Sequence, residues 1–497
     1  MNPIQTALLQ SVRDIEPFSK FILKRPLRDY QLEPARAAIA SVIARDGEQY
    51  VWRFPRQSGK NETLAHVHAY LLFLYQRVKG ASIIHTAPTY DTQAHNALLR
   101  VLEITAGNPF FANLTVGANV LKMGLCRATY LSGAERDKPN VGSTASLLLS
   151  KDECQDLNQR YIEQAFDPMT ANTNAPHVHT GTARHDGTYL ALKKRELDLL
   201  TQRDAKRRVF IITWHDVARC NEAYRATVTA AIARKGALHP SILTEYENVE
   251  TERTGRLFDD RRLALIFSDA LPPRLGPLPD CTYVCTIDVG GTDLQDQVRH
   301  HDMTVCTIHQ VTDASGSNRF DTVDQFVLSG GNVLDDSADR RRLFAYIDLW
   351  HPVKIITDAT GLGTGLASAL LVRYPSKDRV LPFTFTASTK TQLINDWLAL
   401  VETGRYHHFT SASVDSQRFR RQLERCEHEQ HGNFTQWGIP AHVSWRHPVT
   451  LQDEPLHDDH MLSAALVAVM SDSDLRPREL VSTPAARRRI SRLEDIE

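Results

Sequence analysis

One lysine and two acids in the first half of the chain have the chemistry that phosphate cleavage requires. Gly59 and Lys60 follow a short apolar strand and open a helix, and a helix N-terminus with a lysine beside it attracts terminal phosphates. Asp152 and Glu153 end a second apolar run. There Asp152 can hold the water shell of Mg²⁺ while Glu153 positions an attacking water. Together these residues predict a site that binds and cleaves ATP.

The phosphate loop departs from the usual pattern at two places. Phe54 stands where a glycine is usual, and Asn61 stands where Ser or Thr follows the lysine. Asn61 can reach Mg²⁺ directly or through water, and Ser58 or Thr63 can assist it. The alternative is an ordinary strand-to-helix turn without a ligand.

Two further segments are predicted to serve the same site. The strand that begins at His177 ends in Thr180, Gly181 and Thr182, a polar end that can sense the γ-phosphate. Tyr30 and Gln31 lie about 30 residues before the phosphate loop, where a glutamine can bond the adenine edge and an aromatic ring can stack on it. A surface Tyr-Gln pair without a role is the alternative.

A second set of acids lies in the other half of the chain. Asp288 and Asp358 each end an apolar strand and precede glycines, and Asp458 and Asp459 open an apolar helix. Acids that converge in this way can bind two Mg²⁺ ions about 4 Å apart and cleave a phosphodiester. Carboxylates favour Mg²⁺ or Mn²⁺ over the zinc that the neighbouring histidines would suggest. Taken singly, each aspartate is equally typical of a helix cap or a turn.

The elements that carry these residues alternate between strand and helix in the first half, which predicts a mainly parallel sheet with helices on both faces. Prolines and glycines are dense between residues 246 and 280, which predicts a linker. This segment also carries a basic cluster, Arg253, Arg256, Arg261 and Arg262. The predicted organisation is an ATPase domain over 1–245, a linker over 246–280, a nuclease domain over 281–471 and a tail over 472–497.

Length and composition agree with this organisation. A chain of 497 residues with 42% hydrophobic and 24% charged residues is typical of a globular protein with two or more domains. Its net charge of −1 requires that any DNA contact come from local basic patches. The seven cysteines form no C-x-x-C pair and are expected to be reduced core thiols. With no long apolar run and no signal pattern, we expect a cytosolic protein without membrane contact.

With these motifs in place, nearly the whole chain resembles the large subunit of the terminase of tailed double-stranded DNA viruses. The matching phosphate loop is Arg56, Gln57, Ser58, Gly59, Lys60 and Asn61. That family tolerates a residue other than Ser or Thr after the lysine, and the resemblance implies that Arg56 reaches the γ-phosphate. It further implies that Asp152 and Glu153 are the metal and catalytic carboxylates, that Thr180, Gly181 and Thr182 form the coupling motif, and that Tyr30 and Gln31 bind adenine.

For the second half, the resemblance implies a ribonuclease H-like fold that cuts concatemeric DNA. Asp288 and Asp358 match the metal-binding acids of the family, together with Asp458 or Asp459, and Asp302 matches an auxiliary one. The segment 290–301 makes Asp293 and Asp296 rivals of Asp302.

The implied cofactors are ATP and Mg²⁺, with Mn²⁺ possible in the nuclease site. The implied partners are double-stranded DNA, the portal protein and procapsid, a small terminase subunit, and further copies of the chain in a ring of five. The place of action would be the host cytoplasm, where the protein would dock transiently on the procapsid.

The sequence therefore predicts an α/β protein with an N-terminal P-loop NTPase domain and a C-terminal ribonuclease H-like nuclease domain, acting as a DNA-packaging motor. A helicase-like translocase with a nuclease, serving repair or restriction, is the alternative enzyme; no second motor core with an arginine-rich helicase motif supports it. A scaffold with a degenerate nucleotide site is the alternative outside enzymes, encouraged only by Phe54 and Asn61.

Overall fold

A computed structural model describes residues 9–135, 143–290, 303–314, 317–329, 333, 337–376, 378–432, 434–470 and 475. The chain divides into two compact units. The first comprises residues 1–255 and 428–434, and the second comprises 256–427 and 435–497. Among the described residues, no helix has both the length and the apolar character that a membrane crossing needs.

The first unit is built on a sheet of eight described strands. These are β1 Gln49–Arg53, β2 Ser82–Ala87, β3 Leu114–Val116, β4 Val120–Met123, β5 Cys126–Ser132, β6 Leu148–Lys151, β7 His177–Gly181 and β8 Val209–Ile211. Their order across the sheet is β3-β4-β5-β2-β6-β7-β1-β8. All neighbours from β5 to β8 are parallel, whereas β3, β4 and β5 pair antiparallel. The carboxyl ends of β1, β6 and β7 therefore meet at one edge.

Helices cover both faces of this sheet. They are α1 Asp29–Ala44, α2 Lys60–Leu74, α3 His95–Thr105, α4 Gln159–Ala165, α5 Tyr189–Asp204, α6 Trp214–Cys220, α7 Glu222–Lys235 and α8 Pro240–Glu245. Successive strand residues point to opposite faces. Accordingly, Trp52 and Leu148 belong to one buried cluster and Val51 and Leu149 to the other. The predicted mainly parallel α/β sheet is confirmed.

The short strand β9, Thr254–Arg256, precedes the sheet of the second unit. That sheet contains β10 Thr282–Asp288, β11 Met303–Ala314, β12 Ser317–Ser329, β13 Lys354–Asp358, β14 Val380–Phe383 and β15 Tyr406–His408. The order is β14-β13-β10-β11-β12-β15. An antiparallel meander of β10, β11 and β12 continues through the parallel strands β13 and β14 beside β10. The sheet of the second half is thus mixed, and its ribonuclease H-like class stays a prediction.

Among the described residues, six α-helices belong to the second unit. They are α9 Asp260–Phe267, α10 Ala338–Trp350, α11 Gly363–Arg373, α12 Ala387–Glu402, α13 Val414–Arg425 and α14 Asp459–Ala465. The remaining described strands are β16 Glu427–His431, which lies mostly in the first unit, β17 Phe434–Gly438, β18 Ser444–Arg446 and β19 Asp453–Pro455. α14 lies on the meander, where the Ser463 hydroxyl donates to the Thr286 carbonyl (3.2 Å) and bonds the Thr307 hydroxyl (2.8 Å). These bonds hold α14 on the sheet, with its first residues beside the last residue of β10 and the first residue of β11.

The predicted linker, 246–280, needs correction over part of its length. The units divide at 255/256, and the residues that follow fold into the second unit. Leu257, Phe258, Leu263 and Ile266 are buried in its core. The many prolines and glycines over the whole segment made α9 hard to predict from the sequence. Burial of its one apolar face is enough to hold it against the core of the second unit.

Candidate functional sites

The phosphate loop between β1 and α2 is shaped by backbone conformations that favour small residues. Gly59 precedes α2 with φ 88°, and Gln57 has φ 58°. Tyr30 donates its hydroxyl to the Ser58 carbonyl (2.7 Å), and the Gln31 amide donates to the Gly59 carbonyl (3.0 Å). The structure thus shows both predicted adenine-binding residues bracing the backbone of the loop. Their contact with adenine stays a prediction.

Lys60 lies between the two predicted acids. Its Nζ is 2.8 Å from Asp152 Oδ1 and 2.6 Å from Glu153 Oε1. Lys60 is 9% exposed and Asp152 is 2% exposed. Burial alone would lower the pKa of Lys60, but the two carboxylates raise it above its usual value. The lysine is therefore charged. It forms ion pairs with both acids at the place where a phosphate would approach.

The strand β7 fixes the orientation of the acids. Thr180 donates its hydroxyl to Asp152 Oδ1 at 2.6 Å, because β7 lies between β6 and β1. Gln155 donates its amide to Glu153 Oε2 (2.6 Å), and its carbonyl accepts from the Thr182 N–H (3.3 Å). Glu153 itself has φ 48°, an uncommon conformation for a residue with a side chain. The strand β7 thus contacts Asp152 directly, and the residue after it, Thr182, reaches Glu153 only through Gln155, a contact that the sequence did not reveal.

A cavity of about 370 Å³ opens at the loop. It is lined by Phe54, Pro55, Arg56, Gln57, Ser58, Gly59, Lys60, Asn61, Glu62, Arg100, Glu153 and Thr182. Asn61 and Ser58 border it, but the Ser58 hydroxyl donates to the Pro55 carbonyl (2.6 Å). Thr63 does not line the cavity; its hydroxyl donates to the Gly59 carbonyl (3.0 Å). Of the three predicted Mg²⁺ contacts, Asn61 is the most open.

Two arginines add positive charge to this cavity. Arg56 is exposed, with its guanidinium 3.3 Å from Glu245 Oε1. Arg100 on α3 was not identified from the sequence, since nothing in a helix 40 residues away marks it as a neighbour of the loop. Its guanidinium pairs with Glu103 (2.7 Å) and lies 3.7 Å from Glu62. With Lys60 and the start of α2, these groups fit the triphosphate of a nucleotide.

The second set of acids gathers around Asp288 at the end of β10. Asp288, Asp358 and Asp459 are 6%, 7% and 6% exposed. Burial raises the pKa of Asp288 well above its usual value, and the charges of Asp459, Asp458 and Asp358 raise it further. Burial also raises the pKa of Asp358, against an opposing bond from the Thr360 N–H (2.8 Å). The fold thus brings all four of these predicted acids within electrostatic reach of one another.

The two neighbouring acids of α14 have different surroundings. Asp459 accepts a hydrogen bond from the Met303 N–H (3.1 Å), at the start of β11. Asp458 precedes the helix and lies 3.8 Å from Lys390 Nζ. Lys390 also lies over the Trp437 ring, 5.1 Å from its centroid. This lysine, which opposes the raised pKa of Asp288, was missed because α12 shows no local sign of a site. Asp302, Asp293 and Asp296 lie outside the described residues.

Whether these acids suit a metal can be judged from their charges. Buried carboxylates that repel one another call for a cation, and oxygen ligands suit Mg²⁺ or Mn²⁺. Lys390 supplies only part of the compensating charge. Within the described ranges, no three acidic, histidine or cysteine side chains are close enough to hold one ion together. The donor set fits a hard divalent cation, and a bound ion would require these side chains to draw closer.

Comparisons with known proteins give one kind of match. No protein-family model matches the chain, and no curated protein does. Solved structures that match over most of its length include large terminases of phages. That of a thermophilic bacteriophage is 11% identical, with a TM-score of 0.47, covering 89% of this chain and 98% of that one. That of bacteriophage HK97 is 12% identical, with a TM-score of 0.40, covering 92% and 99%.

A shorter solved structure matches part of the chain. The large terminase nuclease of thermophilic phage G20c with bound magnesium is 16% identical, with a TM-score of 0.30, covering 42% of this chain and 95% of that one. At these identities and scores, the function has to be argued from the two sites themselves.

Proposed function

We propose that this protein is a viral DNA-packaging motor that hydrolyses ATP to drive double-stranded DNA into a procapsid and cuts concatemeric DNA with a metal-dependent endonuclease. One observation carries the proposal. A single chain holds a lysine-acid nucleotide cavity in one compact unit and a cluster of four buried or half-buried aspartates in the other. A motor that must both move and cut DNA needs these two chemistries together.

In the first unit, a bound triphosphate would compete with the acids for Lys60. As Lys60 turns to the phosphates, Glu153 is released and can orient a water for attack on the γ-phosphate. Asp152 would hold Mg²⁺, assisted by Asn61, and Arg56 and Arg100 would neutralise phosphate charge. Thr180 contacts Asp152 and Gln155 contacts Glu153, so that β7 can report the loss of the phosphate to the rest of the unit.

In the second unit, Asp288, Asp358 and Asp459 would hold Mg²⁺ or Mn²⁺, with Asp458 at the rim beside Lys390. A divalent ion held by these residues would supply an activated water and stabilise the negative charge of a leaving oxygen. The side chains supply the position: Thr360 orients Asp358 and the Met303 N–H orients Asp459. Asp302 is the auxiliary acid of this proposal.

The proposed partners follow from this role. Double-stranded DNA is the substrate of both units, and a portal on an empty procapsid is the entrance. A small terminase subunit would select the DNA, and several copies of this chain, five in the proposed ring, would act together in the host cytoplasm.

The test is packaging of linear DNA into empty procapsids of the cognate virus. The native chain is expected to protect DNA from added nuclease only when ATP is present. Lys60→Ala should abolish protection, whereas Asp288→Asn should retain it on linear DNA and lose cleavage of concatemers. If the native chain hydrolysed ATP and cut DNA but never packaged it, the helicase-like alternative would replace this proposal. If it showed no DNA-stimulated ATP hydrolysis, the scaffold alternative would.

A further inference from the structure

A basic cleft of about 500 Å³ lies between α9 and α13 in the second unit. Its lining contains Arg256, Asp260, Leu263, Ala264, Phe267, Arg420, Arg421, Glu424 and Arg425. Four arginines against two acids leave a net charge of +2 in a chain whose total is −1. Neither proposed site uses any of these residues.

The arginines of the cleft are largely exposed and pair with acids of its lining, and Arg256 also donates to the Phe258 carbonyl (3.1 Å). The side chains of Arg256, Arg420 and Arg421 are 47%, 56% and 35% exposed. Arg256 lies 3.3 Å from Asp260, and both Arg420 and Arg421 pair with the single acid Glu424, at 3.3 and 3.0 Å. Because exposed pairs of this kind stabilise a protein by about 1 kcal/mol or less, these guanidinium groups can exchange partners for an incoming anion.

The other arginines of the same segment show what a structural role looks like. Arg261 and Arg262 both bind Glu402, whose side chain is 1% exposed. Burial would raise the pKa of Glu402, but the two arginines hold it below its usual value. The basic cluster noted in the sequence therefore has two roles. Arg261 and Arg262 bind Glu402, whereas Arg256 lines the cleft together with the arginines of α13.

α13 also has a direct connection to the proposed nuclease site. Its buried face carries Gln422, whose carbonyl accepts from the Met461 N–H of α14 (2.9 Å). Asp459, two residues before Met461, belongs to the acid cluster. An extended ligand bound to the exposed arginines of α13 would therefore lie on a helix that packs against α14, which bears Asp459.

We propose that this cleft binds the phosphate backbone of duplex DNA and holds it for the nuclease site. Planar guanidinium groups bind phosphate oxygens two at a time, which favours arginine over lysine at such a surface. Arg420 lies over the Phe267 ring, 5.3 Å from its centroid, and this contact keeps its guanidinium in the cleft. The contacts carry no sequence information, as suits an enzyme that must hold any DNA passing it. This inference rests on the proposed nuclease function.

The test is binding of a 30-base-pair duplex to the full-length chain over a range of salt concentrations, without divalent metal. The triple variant Arg256→Gln, Arg420→Gln and Arg421→Gln should weaken binding roughly tenfold to a hundredfold at physiological salt, and should reduce the slope of log K against log salt by about 2 to 3. A charge-matched control changes three exposed arginines of the first unit, Arg207→Gln, Arg219→Gln and Arg225→Gln, and is expected to bind within about twofold of the native chain.

Each outcome decides something. If the triple variant and the control lost affinity equally, general charge would explain the effect and the inference would fail. If the triple variant bound DNA like the native chain while the native chain still cut duplex DNA, the cleft would serve another ligand, such as an acidic protein surface, and the proposed function would stand. If the native chain neither bound nor cut DNA, the proposed function itself would fail. Should the triple variant unfold, Arg420→Lys with Arg421→Lys keeps the charge, and must then keep the salt slope while losing some affinity.

Discussion

The contacts of Lys60 separate binding from hydrolysis at the level of single side chains. Lys60 bonds both Asp152 and Glu153, so its ammonium group is paired with the acids of the cavity. A phosphate that takes over Lys60 also frees Glu153. Binding and activation of the site are thereby linked through one ammonium group.

The first prediction follows from that link. Glu153→Gln should keep nucleotide binding, because Lys60 and the loop remain, and should lower the ATPase rate by roughly 10²–10³, the usual cost of one such electrostatic group. Lys60→Ala should weaken binding itself. Calorimetry with a non-hydrolysable ATP analogue and a phosphate-release assay measure the two effects. Glu163→Gln, at an exposed acid on α4, serves as the control. Near-native turnover in Glu153→Gln would remove Glu153 from the mechanism.

Lys390 carries the second prediction. Its ammonium lies 3.8 Å from Asp458 and competes with a divalent cation for the acid cluster. Lys390→Met should therefore tighten Mn²⁺ binding a few-fold, as expected for a half-exposed ion pair worth about 1 kcal/mol. Calorimetric titration of Mn²⁺ without DNA is the measurement, and Lys354→Met, at a lysine that bonds the Asp378 carbonyl, is the control. Equal or weaker Mn²⁺ binding in Lys390→Met would show that the lysine does not face the metal ligands.

The predictable part of both sites consists of residues with a local signal. Asp152 follows an apolar strand in the first unit, and Asp288 and Asp358 end two apolar strands in the second. Because the ends of neighbouring parallel strands meet at one sheet edge, the convergence of Asp288 and Asp358 could be inferred. Lys390 and Gln155 carry no such signal, because only the folded chain brings them to the acids. Gln31 had a local signal, and its amide contacts the loop backbone in this structure, while its predicted contact with adenine stays a prediction.

At the scale of elements, the turn from β1 into α2 depends on Gly59. A Cβ at this position would lie 2.8 Å from the Gln31 amide nitrogen, and φ is 88°. The backbone conformation therefore favours glycine, and a side chain at this position would also displace the Gln31 amide of α1. Gly80 has a similar φ, 79°, but open space around it.

This pair of glycines gives the third prediction. Gly59→Ala should lower stability by the backbone strain of about 1–3 kcal/mol plus the cost of displacing Gln31, and should weaken nucleotide binding. Gly80→Ala should show the strain alone and bind nucleotide normally. Chemical denaturation and ligand titration on both variants separate the two contributions. Equal stability losses in the two variants, with unchanged binding, would mean that Gln31 does not brace the loop.

Element boundaries show where sequence patterns end. The segment 214–235 divides into α6 and α7 at Asn221, which accepts from the Tyr224 N–H (3.1 Å) and caps the second helix. Asparagine favours such caps over helix interiors. The strand and helix alternation itself was correctly inferred, since it depends on apolar runs long enough to be read without tertiary contacts.

At the scale of the whole molecule, buried histidines tie stability to pH. Burial lowers the pKa of His85 and His309 to about 3 and of His408 to about 4, and it lowers the pKa of His68 and His179 well below the usual value. The unfolded chain binds protons on these rings below pH ~6.5, whereas the folded chain keeps them neutral. Stability is therefore complete above that pH and is lost as the pH falls toward 3 to 4.

The fourth prediction is the size of this loss. Each neutral buried histidine lowers the free energy of unfolding by about 2 kcal/mol between pH 6.5 and 5, so several together approach the whole stability of a domain. Urea midpoints at pH 7.5, 6.5 and 5.5 should fall steeply. His68→Gln should flatten the dependence, while His215→Gln, at an exposed ring, should not. A native chain equally stable at pH 5.5 and 7.5 would contradict the assignment of neutral buried rings.

The division of the chain into two units leads to the last prediction, which concerns where it can be cut. The second unit begins at Arg256, and Leu257, Phe258, Leu263 and Ile266 fill its core. Phe258 packs edge-on against Trp397, with ring centroids 5.1 Å apart. Burial of each such side chain stabilises by about 1.5–3 kcal/mol, so the four together match the 5–15 kcal/mol that typically holds a domain folded. A fragment that began after residue 280 would lack these four side chains. It would also leave the buried carboxylate of Glu402 without Arg261 and Arg262.

A fragment of residues 256–497 should therefore fold and nick plasmid DNA with Mn²⁺ in the absence of ATP, whereas a fragment of 281–497, cut at the end of the segment predicted as a linker, should not fold. Circular dichroism and thermal melting compare the two, and Phe258→Ala within 256–497 should lower the melting temperature without abolishing the transition. If the fragment 281–497 melted cooperatively at the same temperature as 256–497, the helix α9 would be an attachment to the nuclease unit rather than part of its core, and the unit would begin where the proline-rich segment ends.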